Sequence, residues 1–501
     1  MIMSYERRKT PIMGWSSWNR FQTDISEEGL KAQADALVAT GLSECGYEYF
    51  NIDDGFFGGR GDDGRLRFHK TRFPNGIKVI ADYAHSLGLK AGIYSEGGEN
   101  TCAHYWNNEG ENGVGVGLYG YEEQDLKMFL QEFGFDFIKV DWCGGKALDL
   151  DEEEQYTKIA RIIDEIRKKE NRDIIFNICR WQFPGEWATH IADSWRTGAD
   201  IRPTFESIVY QLDNIRSLAR FTCPGHVNDL DMMQLGNGLS FEEEKSHFAM
   251  WCMMSTPLMV GCDLTTIPES TLSILKNKDL ISINQDPACL QAYVAKEIRD
   301  KEGMLLGEVW IKNLNKDNSP DKAIAFFNRS NKDVVFEVSF SEVGLSGDII
   351  NIRDLWEHRA ATAAEFKKTT VGPHQTKVYR VSATDVIEIP NKDDLDDFTV
   401  SEVKYIGMEE LEAAMESGAK LIDVRMVEEY EKSHLKGAVN LPYDESHSIM
   451  RTSNPDKTQM LIVYCSAGKR SAQARNLLTY LGYKNVYILK GCAEFLEKSR
   501  S

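Results

Sequence analysis

At 501 residues the chain is too long for one ordinary domain, and two or three domains are expected. Hydrophobic residues make up 42% and charged residues 27% of it, which excludes a disordered or fibrous protein. Its 78 acidic and 58 basic side chains give a formal net charge of -20, and so negative a surface repels phosphate backbones and anionic lipid. We therefore expect no nucleic-acid partner and no membrane partner, whereas neutral ligands such as sugars stay open.

Three features predict a cytoplasmic protein. No apolar segment follows Arg7 and Arg8, so no signal peptide is visible. The most apolar stretch, from Ala249 to Gly261, is too short to span a bilayer. The ten cysteines are ordinary usage rather than a dense disulfide framework.

Residues 1–292 predict a (β/α)₈ TIM barrel. Eight short apolar runs alternate there with segments of helical period, a pattern typical of a parallel sheet covered by helices. Eight such units in this length suit a closed barrel better than an open sheet. The predicted strands are Ile12–Trp15, Tyr47–Asp54, Ala91–Ser95, Phe135–Trp142, Ile174–Cys179, Ser194–Gly198, His226–Met233 and Leu258–Leu264.

The rest of the chain completes a multidomain α/β architecture. Residues 293–390 show short alternating segments separated by Gly, Asn and Asp, which predict an antiparallel β-sandwich. The aspartate-rich residues 391–400 predict a solvated, acidic linker. In residues 401–501 strands such as Lys420–Val424 alternate with helices such as Met408–Ser417, which predicts a separate small α/β domain.

Acids, cations and aromatic residues recur where the predicted barrel strands end, and in such barrels those ends form the active site. Hydrolysis of a glycosidic bond needs two carboxyls, and sugar rings stack on aromatic walls. A metal site is the competing use of clustered acids, but Lys139 and Arg196 already supply positive charge, so we expect neither metal nor cofactor. The strand-end candidates are Trp18, Asp53, Asp54, Tyr94, Lys139, Asp141, Cys179, Arg180, Trp181, Arg196, Asp200, Asp229 and Asp231.

Several motifs resemble those of glycoside hydrolase family 27, which includes α-galactosidases and α-N-acetylgalactosaminidases. They are MGWSSWNRF, YFNIDDGFF, GLKAGIYSEGG, FDFIKVDWCGG, SWRTGADI and NDLDMM, followed by INQDP, and they stand in the family's order. The resemblance runs from about Thr10 to Tyr293 and continues more weakly through the predicted sandwich. It implies a retaining, exo-acting enzyme whose partner is an α-galactoside oligosaccharide or glycoconjugate. A homo-oligomer stays open.

The resemblance also implies catalytic roles. Asp141 in IKVDW matches the nucleophile, and Asp200 in WRTGAD matches the general acid/base. Lys139, two residues from Asp141, should keep the nucleophile ionised. Asp200 should occupy a less solvated position, so that it holds a proton near neutrality.

Further matches concern sugar binding. Asp53 and Asp54 match the pair that binds O4 and O6 of galactose. Cys102 and Cys143 match a disulfide beside the nucleophile, and two packed thiols are the alternative. Lys139 matches a ligand of a sugar hydroxyl, and Arg196 and Asp231 match sugar-contacting or supporting residues. Trp18, Tyr94 and Met232 match residues that pack against the sugar ring. For Tyr94 and Met232 the alternative is a place in the hydrophobic core.

One position departs from the family. After the fifth strand its α-galactosidases usually carry Cys-Glu-Trp, whose acid helps to select the 2-hydroxyl, whereas this chain has Cys179–Arg180–Trp181. An arginine cannot accept a hydrogen bond. Arg180 would donate to the 2-oxygen, approach Asp200 or point outward, so the sugar stays open between galactose, N-acetylgalactosamine and β-L-arabinopyranose.

The last domain carries LIDVR, HLKGAVNLP and VYCSAGKRS. Cys465 ends a predicted strand before a Gly-containing loop and a helix, where backbone N–H groups and the helix dipole favour a thiolate. The motifs resemble the rhodanese-like family over about Gly407 to Leu496, which implies a persulfide on Cys465. A phosphatase loop has five residues between Cys and Arg, whereas four stand here. The implied cradle is Ser466, Ala467, Gly468, Lys469 and Arg470.

The role of this module stays open between sulfurtransferase activity, redox sensing and partner docking. In the alternative interpretation of the whole chain, Cys465 carries the main function and the barrel is a sugar-binding scaffold.

Overall fold

The computed structural model describes residues 7–107, 110–301, 303–391, 393, 404–443, 458–466, 469–480, 483 and 485–490. The chain divides into two compact units, Met1–Asp394 and Leu395–Ser501. The predicted barrel and sandwich therefore share one unit instead of forming two independent ones. Within the described residues, every helix is too short or too polar to cross a bilayer.

The barrel strands confirm the predicted TIM-like fold. Eight strands pair in parallel in the order β10-β1-β2-β5-β6-β7-β8-β9, and a parallel bridge between Met233, in the segment after β9, and Val260 of β10 connects the two edges. A hairpin of two antiparallel strands, β3 and β4, is inserted after β2, and the sequence patterns did not predict it. The strands are β1 Met13–Ser16, β2 Tyr49–Asn51, β3 Phe57–Arg60, β4 Leu66–Phe68, β5 Lys90–Glu96, β6 Phe137–Asp141, β7 Ile175–Ile178, β8 Ser194–Arg196, β9 Val227–Asp229 and β10 Leu258–Val260.

Helices cover the outside of this sheet. The longest, Glu152–Glu170, begins after Asp151, whose side chain accepts the N–H of Glu154, and it buries a face that includes Tyr156 and Ile163. The helices are α1 Trp18–Phe21, α2 Glu27–Ala39, α3 Lys78–Ser86, α4 Cys102–Trp106, α5 Glu122–Lys127, α6 Cys143–Ala147, α7 Glu152–Glu170, α8 Ala188–Ile191, α9 Phe205–Ile215, α10 Phe241–Met254, α11 Glu269–Leu275 and α12 Lys278–Asn284. Short 3₁₀ or π helices stand at Ser43–Cys45, Gly110–Gly113, Met128–Glu132, Arg216–Phe221 and Leu264–Thr266.

The sandwich follows in the same unit. A six-stranded antiparallel sheet, in the order β11-β12-β13-β18-β15-β16, and the β14–β17 pair enclose a core that includes Phe326, Phe336 and Phe366. The elements are β11 Tyr293–Arg299, β12 Leu305–Asn313, β13 Asp321–Asn328, β14 Val334–Glu337, a 3₁₀ turn at Ser341–Val343, β15 Leu345–Asp354, β16 Arg359–Ala360, α13 Ala363–Lys367, β17 Lys368–Val371 and β18 Thr376–Val386.

The second unit is the predicted small α/β domain. Five strands pair in parallel in the order β19-β23-β22-β20-β21. The elements are β19 Tyr405–Ile406, α14 Met408–Glu416, β20 Lys420–Asp423, α15 Val427–Lys432, β21 Val439–Asn440, β22 Leu461–Tyr464, α16 Lys469–Tyr480 and β23 Val486–Leu489.

The predicted linker, residues 391–400, lies outside the described residues except for Asn391 and Asp393. Asp393 is not freely solvated, because its carboxylate pairs with Nε of Arg216 at 2.8 Å. The prediction of a solvated run is therefore wrong at this residue.

Candidate active site

A cavity lies within the barrel. Six residues singled out in the sequence line it: Asp53, Lys139, Arg196, Asp229, Asp231 and Met232. They come from four strands or from the turns that follow them. Side chains that are far apart in the chain therefore meet at one cavity, as their positions at the strand ends predicted. The partly buried Trp18 packs against a cluster that includes Met232, which puts it near the same cavity.

Asp141 ends β6 and is buried beside this cavity. Nζ of Lys139 lies 3.9 Å from Oδ1 of Asp141 and 2.9 Å from Oδ2 of Asp53. Burial raises the pKa of Asp141 to about 7, although Lys139 acts to lower it. Lys139 thus favours the charged form of Asp141, as expected, but removal from water outweighs this one cation at 3.9 Å.

Asp53 and Asp54 lie in different surroundings although they are adjacent. Asp53 faces the cavity and pairs with Lys139. Asp54 is turned towards the start of α4 and accepts the N–H of Ala103 at 3.0 Å. Burial raises the pKa of Asp54 to about 6. Only Asp53 of the predicted pair thus lines the cavity itself.

A second charged group surrounds Arg196, at the end of β8. Its guanidinium is buried and pairs with Oδ2 of Asp231 at 2.7 Å and with Oδ1 of Asp200 at 3.1 Å. Asp231 adopts a φ of 81°, a strained conformation for a non-glycine residue, and burial raises its pKa to about 6. The Asp200 side chain is 57% exposed, so the expectation of a less solvated acid is wrong for the protein without substrate. Asp200 still acts to raise the pKa of Asp141, which puts the two carboxyls in the same electrostatic neighbourhood.

Cys102 and Cys143 form a disulfide, which decides between the two interpretations of this pair. Sγ of Cys102 lies 3.2 Å from Oδ2 of Asp141, so the disulfide covers one side of that carboxyl. Tyr94 is fully buried, and its hydroxyl accepts the N–H of Cys102 at 3.3 Å. Tyr94 therefore supports the loop beneath the site and does not line the cavity.

Arg180 neither lines the cavity nor pairs with Asp200. Its Nε lies 2.8 Å from Oε1 of Glu152, the first residue of α7, and the two side chains are largely buried. Burial raises the pKa of Glu152 to about 7, while Arg180 acts to lower it. Trp181 has a φ of 62°. The segment whose sequence differs from the family's usual one therefore also has a strained backbone beside the site.

The cysteine loop of the second unit is described in part. Cys465 is buried after β22, and its Sγ accepts the N–H of Ser471 at 3.4 Å. Arg470 pairs with Glu429 of α15 at 2.5 Å and donates to Ser466 Oγ at 3.3 Å. Of the predicted cradle, Ala467, Gly468 and the Lys469 side chain lie outside the described residues.

Family models match all three predicted regions. Residues 10–286 match the model described as alpha galactosidase A, and residues 307–381 match its C-terminal beta sandwich domain. Residues 407–494 match a rhodanese-like domain. The chain belongs to the alpha-galactosidases of glycoside hydrolase family 27.

Individual relatives agree with this family 27 assignment. Alpha-galactosidase 2 of Arabidopsis thaliana is 37% identical over 76% of this chain and 92% of its own length. Alpha-galactosidase A of Cellvibrio japonicus is 36% identical over 75% and 92%. The structure of the Saccharomyces cerevisiae alpha-galactosidase with raffinose superposes with a TM-score of 0.62 and 25% identity, over 74% of this chain and 97% of that one.

Three residues of this family 27 site escaped the sequence reasoning. Asn177 lines the cavity and donates to Asp229 Oδ2 at 2.8 Å, and its position on the inner face of β7 was the only signal. Glu96 is buried beside the disulfide, although it stands in the quoted motif GLKAGIYSEGG. Glu152 gave no signal, because it looks like any acid in the first turn of a helix.

Proposed function

We propose that this family 27 chain is a retaining exo-glycosidase that releases terminal α-linked galactose from oligosaccharides or glycoconjugates. The observation that carries the proposal is a pair of carboxyls, each beside a cation that lines the cavity: Asp141, buried 3.9 Å from Lys139, and Asp200, paired with Arg196. Raffinose, the sugar bound by the yeast relative, carries such a terminal α-galactose, which supports this substrate class.

In the first step the Asp141 carboxylate attacks the anomeric carbon and forms a covalent glycosyl-enzyme. Asp200 donates its proton to the departing glycosidic oxygen. Its exposure suits this role, since the leaving group needs a path to solvent and itself excludes water from Asp200 while it is bound.

In the second step Asp200, now ionised, takes a proton from water, and the resulting hydroxide attacks the anomeric carbon from the side the leaving group vacated. The bond to Asp141 breaks, and galactose leaves with its original α configuration. Arg196, buried between Asp200 and Asp231, holds the acid/base in place while its charge changes.

Two measurements test this mechanism. Proton NMR of the first product formed should show α-galactose ahead of its mutarotation, whereas β-galactose would refute retention. Asp141→Ala should lower kcat on p-nitrophenyl α-galactoside at least about a thousandfold. Asp164→Ala, which removes an exposed carboxyl on α7, is the matched control and should keep its activity.

The sugar is tested with a panel of p-nitrophenyl glycosides: α-galactoside, α-N-acetylgalactosaminide, β-L-arabinopyranoside and α-glucoside. We expect α-galactoside to be preferred, because Asp53 faces the cavity and Arg180 is engaged by Glu152. A higher kcat/KM for either of the next two sugars would assign the site to that sugar instead.

For the second unit we propose a sulfur-handling module on Cys465, supported by the Ser471 N–H that points at its sulfur. The thiolate takes the outer sulfur of thiosulfate, which releases sulfite, and the persulfide then passes that sulfur to cyanide as thiocyanate. Thiocyanate formation should disappear in Cys465→Ser, and unchanged transfer would refute the proposal. Full sulfur transfer without hydrolysis of any α-glycoside would favour the barrel as a sugar-binding scaffold.

A further inference from the structure

A cluster of sulfur and oxygen atoms lies directly behind the proposed nucleophile. Its members are Glu96 at the end of β5, Cys102 at the start of α4 and Cys143 at the start of α6, and all three are buried. Sγ of Cys102 lies 3.8 Å from Oε2 of Glu96 and 3.2 Å from Oδ2 of Asp141. The catalytic role proposed for the barrel gives Glu96 no part in the reaction.

Glu96 is fixed in its orientation by the backbone. Its carboxylate accepts the N–H groups of Cys143 at 2.9 Å, Gly98 at 3.0 Å and Gly145 at 3.3 Å. Two of these donors belong to the loop that carries Cys143. These hydrogen bonds therefore fix the distance between the Glu96 carboxylate and that cysteine. A carboxylate held in this way is preorganised as a ligand, since no side chain has to be ordered on binding.

The three residues are close enough to bind one ion once the disulfide is reduced and its two sulfurs, which are bonded to each other here, move apart. One ligand atom from each of Glu96, Cys102 and Cys143 lies within 4.8 Å of the other two. Zinc binds thiolate sulfur at about 2.3 Å and carboxylate oxygen at about 2.0 to 2.2 Å, so small shifts bring all three into contact with one ion. Two thiolates select a thiophilic ion over magnesium or calcium, which take oxygen ligands.

The nucleophile is the nearest candidate for the fourth ligand. Oδ2 of Asp141 is closer to Sγ of Cys102 than Glu96 is, so an ion held by the two sulfurs lies within reach of both carboxylates. An ion bound there would neutralise Asp141 and tie down the lone pair that attacks the anomeric carbon.

We propose that reduction of the Cys102–Cys143 disulfide creates a zinc site, formed with Glu96, that inhibits the glycosidase through Asp141. A dithiol donates two electrons and two protons to the disulfide, which yields two cysteine thiols and the oxidised dithiol. Zn²⁺ then displaces both thiol protons, together with any proton held by Glu96 or Asp141, and forms two Zn–S bonds and bonds to the carboxylates; the protons pass to the buffer. The inhibition rests on the proposed function of Asp141, whereas metal binding does not.

Cobalt binding tests the site without reference to activity. Full-length Cys465→Ser protein is reduced with dithiothreitol, desalted under argon and titrated with Co²⁺. One equivalent should produce a thiolate-to-cobalt charge-transfer band and the visible bands of tetrahedral Co²⁺, and the oxidised protein should give neither. A reduced protein without these bands would overturn the proposal.

Variants assign the ligands. Cys102→Ser and Cys143→Ser should each abolish the band, whereas Cys223→Ser, which removes an exposed thiol of the same unit, should leave it unchanged. Glu96→Gln keeps the disulfide for folding and should weaken Zn²⁺ binding at least about tenfold after reduction. Cobalt binding that persists in both Cys102→Ser and Cys143→Ser would place the ion elsewhere and refute the assignment.

Activity is the second readout. Reduction in metal-free buffer should leave most hydrolysis of p-nitrophenyl α-galactoside intact, one equivalent of Zn²⁺ should lower it at least tenfold, and EDTA should restore it. If the cobalt bands appear but zinc does not inhibit, the metal site is supported and its effect on the nucleophile is refuted. Loss of activity on reduction alone would refute the zinc-dependent inhibition. A protein that is inactive in both redox states would refute the proposed function. The cobalt titration would still show whether the metal site exists.

Discussion

Asp141 belongs to a group of four buried carboxyls whose pKa values lie at about 6 to about 8; the others are Asp54, Glu96 and Asp231. In each case burial is the largest cause. A carboxyl whose pKa is higher in the folded than in the unfolded state binds more protons when folded, so its contribution to stability is lost as pH rises through the folded value. These carboxyls therefore lower the free energy of unfolding progressively as the pH rises from about 4 to about 8.

Asp141→Asn should be inactive and yet more stable than the native chain. The substitution removes the need to ionise a group whose pKa burial raises to about 7. The gain in the melting temperature of the first unit should be largest at pH 8 and shrink towards pH 5, as thermal unfolding at both pH values would show. A variant less stable than the native chain at pH 8 would show that ionisation of Asp141 does not destabilise the native protein there.

Lys139→Met should move the acid limb of kcat/KM to higher pH. Because Lys139 acts to lower the pKa of Asp141, its loss lets that pKa rise above about 7. We expect a shift of at least about one pH unit, measured on p-nitrophenyl α-galactoside from pH 4 to pH 9. Lys127→Met, which removes an exposed lysine on α5, should keep the native profile. An unmoved acid limb in Lys139→Met would assign that limb to another group.

The sequence predicted these residues unevenly, and the reason is physical. Asp53, Lys139 and Arg196 follow from strand geometry alone, because parallel strands bring their ends to one side of the barrel. The partner of Arg180 did not follow, since Glu152 lies on another element and a long side chain has many rotamers. Solvation was also beyond the sequence, which gave neither the burial of Asp141 nor the exposure of Asp200.

At the level of elements, all eight barrel strands were predicted, although the observed strands are mostly shorter. Continuous apolar runs identify buried parallel strands well. The β3–β4 hairpin was missed because Phe57–Arg60 carries two glycines and a bulge, so it shows neither alternation nor a long apolar run. In the sandwich, bulges interrupt the pairing of β15 with β18 and shift its alternation, which hides such a strand from sequence patterns.

The contact between α7 and the loop after β7 gives a prediction at this scale. Arg180→Glu restores the acid usual in the family but sets it against Glu152, so we expect a lower melting temperature and no gain in kcat/KM. The double variant Arg180→Glu with Glu152→Arg reverses the ion pair and should recover most of the lost stability. A double-mutant cycle by thermal unfolding measures the coupling, and additive losses would show that the pair does not hold these elements together.

At the scale of the molecule, buried ion pairs join the barrel to the sandwich. Arg329 on the sandwich side pairs with Asp213 of α9 at 2.8 Å and with Glu308 of β12 at 2.9 Å. Arg216 reaches the same Glu308 at 2.8 Å. All four side chains are at least nine-tenths buried, so removal of one partner leaves an uncompensated charge.

Calorimetry should therefore show two transitions, one for barrel and sandwich together and one for the second unit. Arg329→Met should destabilise the first unit by about 3 to 5 kcal/mol and lower its transition by several degrees. The transition of the second unit should stay in place, and it serves as the internal control. Separate melting of barrel and sandwich would contradict their description as one unit.

The place of β1 in the barrel bears on how the chain is made. Met13 of β1 pairs with Leu258 of β10 on one side, and Gly14 pairs with Tyr49 of β2 on the other. On the ribosome, β2 emerges soon after β1, but β10 emerges only when nearly the whole barrel has been translated. Until then one edge of β1 stays unpaired, and nascent chains of this length are where we expect chaperones to be most needed.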